Sequence, residues 1–170
     1  MVHNTTRRLF LKHHLQLGAA VGAGVVVFSV LGQNALALER NFKIMKTEAE
    51  WRAQLSPEQF NVLRKHATER AGSSPLNAEK RAGMYHCAGC ETALFASTTK
   101  FESGTGWPSF YAPIEGAIGT QTDWKLLYPR TEVHCATCGG HLGHVFEDGP
   151  APTGLRYCMN GVAMVFKPTA

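Results

Sequence analysis

Five cysteines hold most of the reactive chemistry available to this chain of 170 residues. Four of them form two C-x-x-C pairs, Cys87/Cys90 in "HCAGC" and Cys135/Cys138 in "HCATCGGH", with 44 residues between the pairs. Each such knuckle turns two thiolates toward one point, and two knuckles complete the tetrahedron of a structural zinc ion. The same four sulfurs also accept iron. A disulfide oxidoreductase working through Cys87 and Cys90 is a rival reading, but a redox dithiol needs one pair, not two. Haem attachment needs a histidine after the second cysteine, where Glu91 and Gly139 stand. His86 and His134, each just ahead of a knuckle, read as ordinary strand residues.

The fifth cysteine, Cys158, belongs to neither pair. A lone cysteine is by default a small buried apolar residue, but its company in "GLRYCMN" points to reactivity. In a strand, Arg156 and Asn160 project to the same side as Cys158, and cations and hydrogen-bond donors stabilise a thiolate. His141 and His144 precede it in the glycine-rich "GGHLGHVFEDG". Trp107 lies in "SGTGWPSF", where small residues and Pro108 constrain the turn and leave an indole face for an apolar group. Glu102, Glu115 and Asp148 are candidates for holding the site residues in place, though as loop carboxylates each reads more readily as simply solvated.

Three features in this order, "SGTGWPSF" (residues 103–110), "HLGHVFEDGPAPTGLRYCMN" (residues 141–160) and the two cysteine pairs, resemble the methionine sulfoxide reductase B family over roughly residues 47–167. The resemblance implies reduction of methionine (R)-S-oxide in proteins or peptides, with one structural zinc ion and no organic cofactor. It makes Cys158 the nucleophile, His141 and His144 the active-site histidines, Asn160 and Arg156 their companions, and Trp107 with Phe110 the substrate pocket. The chemistry fits those roles. A sulfoxide sulfur is electrophilic only when its oxygen is protonated or strongly hydrogen-bonded, so a cysteine needs an acid beside it. Histidine supplies that proton near neutrality; we take His144 as the main donor and His141 as its orienting partner.

Many members of that family carry a second redox cysteine as G-C-G-W-P, and here that position is Thr105. With four cysteines allotted to metal and one to chemistry, a sulfenic acid on Cys158 has to be reduced by an outside thiol, small or thioredoxin-like. Four cysteine ligands leave no open coordination position, so the zinc is structural. A different class of reading, a non-enzymatic zinc-bearing β-fold that binds ligands in an aromatic pocket, has no use for Cys158 beside His141, His144 and Asn160.

The elements that must position these residues are short. Thr47 with Glu50 forms a capping box for one helix. Ser56 as N-cap, Pro57 at the first helical position, Gln59, and then Phe60, Leu63 and Ala67 at helical spacing predict a second helix over about 57–70, with Gly72 as its stop. From Gly83 onward, Gly, Pro and Thr punctuate short apolar runs at residues 93–96, 124–128, 145–146 and 162–166. The expectation is a mainly β (α+β) domain of zinc-stabilised antiparallel sheets, tent-like, with two short N-terminal helices.

Residues 1–37 read as a separate segment, and residues 38–170 as the domain. "TTRRLFLKHH" is followed by an uncharged apolar stretch over residues 15–31 and by an A-x-A site at Ala35 to Ala37, the layout of an export signal. Arg7-Arg8 followed by Phe10-Leu11-Lys12 resembles a twin-arginine signal, which implies the twin-arginine machinery, export in the folded state and a periplasmic protein. Retention of the segment as a membrane anchor is the second reading, since 17 residues is at the lower limit for a span. The segment holds three of the 17 basic residues and no acid, so residues 38–170 carry 14 basic and 13 acidic residues. A domain so close to neutral, without a cluster of Lys or Arg, excludes nucleic acid as an expected partner. The partners expected are oxidised polypeptides and a thiol reductant, acting on a monomer.

Overall fold

Two capping boxes open the part of the chain that this computed structural model describes, residues 42–169. The expected export signal, residues 1–37, lies outside the described residues. In α1 (Glu48–Gln54) the Thr47 hydroxyl accepts the Glu50 N–H at 3.3 Å while the Glu50 carboxylate accepts the Thr47 N–H at 2.7 Å. Ser56 and Gln59 repeat the exchange at 3.2 and 3.0 Å ahead of α2 (Pro57–Lys65). Each box satisfies donors that a helix start otherwise leaves unpaired.

The second helix is shorter than its periodicity predicts. It ends at Lys65 because His66 takes the left-handed conformation at φ 55°, and the N–H groups of His66 and Ala67 turn back to Val62 O and Asn61 O at 3.1 and 3.0 Å. Ala67 still packs against the core, which is why the apolar spacing runs past the last helical turn. Gly72 does not stop the helix; its N–H donates to Gly106 O at 2.7 Å and steadies the turn that carries Trp107.

Among the described residues nine strands follow: β1 (Gly83–Cys87), β2 (Ala93–Ala96), β3 (Lys100–Phe101), β4 (Ser109–Phe110), β5 (Ile118–Asp123), β6 (Arg130–Cys135), β7 (His141–Phe146), β8 (Arg156–Met159) and β9 (Met164–Pro168). They form a three-stranded sheet in the order β2-β1-β9 and a six-stranded sheet in the order β3-β4-β8-β7-β6-β5. Every pairing is antiparallel, so the expected fold class holds. The two sheets share an aromatic core: Phe110 of the larger stacks on Phe95 of the smaller at 4.4 Å between ring centroids, and Tyr85 meets Phe110 edge-on at 4.8 Å. Burying such a side chain is worth about 1.5–3 kcal/mol, and all three rings are fully buried.

One apolar run expected as β structure is not a strand. Residues 124–128 form an exposed loop between β5 and β6, because Asp123 and Arg130 pair at 2.6 Å where the strands end and Pro129 has no N–H to extend the ladder. This places an acid and a base at the base of an apolar loop, next to the catalytic candidates.

Candidate active site and metal centre

The two C-x-x-C turns have the same backbone wiring. In the first, Glu91 N–H donates to Cys87 O at 2.8 Å and Cys87 N–H to Thr92 O at 2.8 Å; in the second, Gly139 N–H donates to Cys135 O at 2.8 Å and Cys135 N–H to Gly140 O at 2.9 Å. The residue after each second cysteine is left-handed, Glu91 at φ 60° and Gly139 at φ 67°. The turns face each other, with Cys87 Sγ 3.7 Å from Cys138 Sγ and Cys90 Sγ 3.5 Å from Cys135 Sγ. Those separations are far longer than a disulfide bond, about 2.0 Å. They match the edge of a tetrahedron whose metal–sulfur bonds are about 2.3 Å. All four ligand atoms lie within 4.8 Å of one another, so the donor set fits a structural metal ion.

The helices brace this cluster. Gln54 Nε2 donates to Gly89 O at 2.7 Å inside the first turn, and Arg64 donates to Cys138 O at 3.1 and 3.2 Å beside the second. Arg64 also lies over the buried Trp51 ring at 4.7 Å, so α1 and α2 tie one knuckle to the other. His86 bonds Glu91 O through Nδ1 at 2.8 Å, and His134 meets Phe42 edge-on at 5.7 Å. Neither joins the sulfur cluster.

Cys158 lies in β8, between β4 and β7. Register pairs it with Ser109 on one side and His144 on the other. The close approach of β7 depends on Gly143, where a Cβ would come within 2.2 Å of Cys158 O. A small cavity of about 120 Å³ opens over the cysteine, lined by Thr68, Trp107, Arg130, Gly143, His144, Phe146, Cys158 and Asn160. A larger groove of about 620 Å³ runs between α2 and residues 67–76. No cysteine or histidine lines it, so we place the chemistry in the smaller one.

The two histidines occupy different depths. His144 is on the cavity wall, and its Nε2 bonds Asp123 Oδ2 at 2.8 Å. Burial pushes the His144 pKa down, and the Asp123 carboxylate offsets part of that shift. Burial raises the Asp123 carboxyl, but the Lys125 backbone N–H, His144 and Arg130 outweigh it and hold it at about 2. His141 lies behind His144, edge-on at 5.4 Å between centroids, and is nearly fully buried. Its Nδ1 bonds Glu132 Oε1 at 2.6 Å, the same oxygen that His66 Nδ1 reaches at 2.8 Å. Burial works against the Glu132 carboxylate, yet donation from His141, His66 and Gln121 keeps its pKa well below the usual range.

The other predicted site residues divide. Trp107 lines the cavity, with its Nε1–H donating to Glu69 O at 3.2 Å. Phe110 does not line it: its ring is fully buried in the core against Phe95 and Tyr85. Strand alternation turns Ser109 toward the cysteine's neighbours and Phe110 to the opposite face, and the ring at the cavity is Phe146. Arg156 lies over that ring at 4.4 Å and forks onto Asp148 through Nε and Nη2, both at 2.8 Å. Asp148, for which the solvated reading was the stronger of two, takes the other and holds Arg156 in place. Asn160 reaches the cavity, but its side chain is committed to backbone, accepting from Glu69 N at 2.9 Å and donating to Leu142 O at 3.0 Å. Thr105 presents its hydroxyl 3.7 Å from Cys158 Sγ and is joined through Ser103 at 2.8 Å to the buried Ser109.

Sequence reading missed Asp123, Glu132, Glu69, Arg130, His66 and Phe146. Two of these carried a signal, since Asp123 and Glu132 are acids inside β runs, where carboxylates are depleted. Glu69 carried none; its carboxylate accepts from Gly161 N and Val162 N at 2.6 and 2.9 Å, a contact made only by tertiary folding.

Residues 55–168 match the SelR domain family. The chain is 53% identical over 127 residues to the peptide methionine sulfoxide reductase MsrB of Agrobacterium fabrum, covering 74% of this chain and 94% of that protein. It is 59% identical over 127 residues to the protein of the same name from Pseudomonas putida strain W619, covering 74% of this chain and 96% of that one. The corresponding protein of Leptospira interrogans is 48% identical over 128 residues, or 75% of this chain and 98% of its own length. A domain match over residues 55–168, with relatives covered almost end to end, places the chain in the SelR domain family.

Proposed function

We propose that this protein reduces methionine (R)-S-oxide in polypeptides to methionine, with Cys158 as nucleophile and an external thiol as reductant. One observation carries the reading: a cysteine and a histidine paired across β8 and β7 converge on a cavity that Trp107 and Phe146 make apolar. The apolar rings receive the methyl group, and the sulfoxide oxygen meets His144. Because His144 Nε2 is engaged by Asp123, the proton passes from Nδ1.

The reaction balances with these groups. The Cys158 thiolate attacks the sulfoxide sulfur and the oxygen takes a proton from His144. Transfer of that oxygen to the cysteine sulfur releases methionine and leaves a sulfenic acid. A first external thiol displaces it as water and forms a mixed disulfide; a second thiol frees Cys158 and departs as a disulfide. Arg156, fixed by Asp148, places a cation two residues from the nucleophile on the same strand, and Asn160 holds residues 68–69 at the rim. Cys87, Cys90, Cys135 and Cys138 hold one zinc ion, which locks the knuckles and takes no part in the reaction.

The same reading makes the protein a periplasmic monomer, exported in the folded state by the twin-arginine route. Zinc loading before export keeps four thiols from being oxidised in a disulfide-forming compartment, and Arg7-Arg8 with the A-x-A site supports that route. The test of function is turnover of separated sulfoxide epimers by the full chain with dithiothreitol. The R epimer is expected to be consumed and the S epimer left, and Cys158→Ser is expected to lose turnover while keeping metal and fold. Full activity in the serine variant would refute the assignment.

A further inference from the structure

The described residues expose six large hydrophobic side chains, and four of them fall within residues 124–128: Trp124 at 71%, Leu126 at 47%, Leu127 at 107% and Tyr128 at 59%. This cluster is attached to the catalytic cavity. Its two ends are Asp123 and Arg130, joined at 2.6 Å; Arg130 lines the cavity and Asp123 holds His144 at 2.8 Å. The Lys125 N–H bonds back to Asp123 Oδ1 at 2.9 Å, so the loop rises directly from the cavity wall.

Solvent exposure of contiguous apolar side chains is unfavourable and marks an interaction surface. We propose that residues 124–128 dock the apolar chain segments that flank an oxidised methionine in an unfolded polypeptide, a specificity that rests on the reductase reading above. Two physical points select this occupant. Once a methionine sulfoxide side chain enters the cavity, its chain neighbours lie at the mouth, beside the loop whose ends, Asp123 and Arg130, meet at the cavity wall. Methionine is mostly a core residue, so the segments that carry it also carry other apolar core residues, two to four positions away. Oxidation makes its side chain polar, disrupts the core and exposes those neighbours together.

Trp124 and Leu127, the residues replaced, do not line the cavity, which makes the test separable from catalysis. The full chain and a Trp124→Ser/Leu127→Ser variant are compared on three substrates with dithiothreitol as the common reductant. These are N-acetylmethionine sulfoxide, a heptapeptide with central methionine sulfoxide between Leu and Val residues, and the same heptapeptide with Ser and Gly in their place. The unmodified protein is expected to favour the apolar peptide over the polar one roughly tenfold in kcat/KM, in line with the loss of one or two apolar anchors. The variant is expected to bring that ratio within about twofold while turning over N-acetylmethionine sulfoxide at the original rate. Peptide affinities in the Cys158→Ser background read docking without turnover, so a failure of the reductase reading, in which no substrate is consumed, stays distinct from a failure of docking.

An apolar preference that survives in the variant overturns the proposal. So does an equal loss on all three substrates, which would make the loop a support for His144. Vesicle binding or self-association that depends on Trp124 and Leu127, with the peptide ratio unchanged, would assign the loop to a membrane or a second copy. A defect that appears only when thioredoxin replaces dithiothreitol would assign it to the reductant.

Discussion

Replacing Asp123 with Asn tests the acid role of His144 without changing a residue that lines the cavity. The two side chains meet at 2.8 Å and each is about one-tenth exposed, so solvent screens the contact little. A hydrogen bond to a charged partner is worth about 1.5–3 kcal/mol, and a neutral one about 0.5–1.5 kcal/mol. An amide oxygen can still accept from Nε2, so the variant loses roughly 1–1.5 kcal/mol of preference for protonated His144, and its pKa moves further down. Arg130, no longer balanced by Asp123, pushes the same way. The sign follows: a general acid acts in its protonated form, whose fraction falls as pH rises through its pKa, and this substitution lowers that pKa. Single-turnover methionine formation, measured without reductant from about pH 5 to pH 8, keeps the reductant's own ionisation out of the profile. The variant is expected to be about tenfold slower at neutral pH and to converge with the unmodified protein at the acid end, with metal content unchanged. Overlapping profiles, or rates within twofold at neutral pH, would remove His144 from the role of proton donor.

Cys135→Ser is expected to lose the metal and with it the folded domain, since a structural zinc contributes on the order of 10 kcal/mol; retained zinc and an unchanged Tm would refute the cluster. Glu132→Gln removes the anion that His66 and His141 share but leaves an amide oxygen to accept, and should cost about 1–3 kcal/mol in urea denaturation at neutral pH. Because the Glu132 pKa is depressed on folding, its stabilisation is present above the unfolded carboxyl pKa and is lost as pH falls toward the folded one, so the variant should show a shallower acid limb. Arg7→Lys with Arg8→Lys should hold unprocessed protein in the cytoplasm, read by fractionation; undiminished export would point to another route.

What could be read in advance followed from local chemistry. Both capping boxes and each cysteine knuckle are fixed by residue types a few positions apart, and each stands where its own short segment put it; the meeting of Cys158 with His144 across β8 and β7 was indicated by the family resemblance of the whole segment. The unread part depends on which strand lies beside which. Glu132 is nine residues from His141 in sequence and 2.6 Å away in space, because β6 pairs with β7. Glu69 reaches Gly161 across 92 residues. Phe110 and Phe146 are both aromatic residues near site motifs, and the pleat alone decides which ring faces the core and which faces the cavity.

The same pairing explains how a site with one redox cysteine could gain a second. Thr105 Oγ1 stands 3.7 Å from Cys158 Sγ, so a thiol at that position would start within about 2 Å of bonding distance. Gly104 and Gly106, both with positive φ, flank it in the turn, and the backbone there can adjust more readily than a strand. Thr105→Cys is therefore expected to close a disulfide with Cys158 after one turnover. Mass spectrometry after stoichiometric substrate should show the loss of two hydrogens in this variant, where the unmodified protein gains one oxygen on Cys158. Closure also changes what the reductant must do. The oxidised sulfur of the unmodified protein stays inside the cavity, where a protein thiol has to reach it, whereas a disulfide to Thr105's position would bring one sulfur toward the solvent-facing turn. Thioredoxin should then support the variant better than the unmodified protein, while dithiothreitol serves both. A sulfenic acid that persists in the variant would mean that the hydroxyl chain through Ser103 and Ser109 fixes this turn too firmly for the two sulfurs to meet.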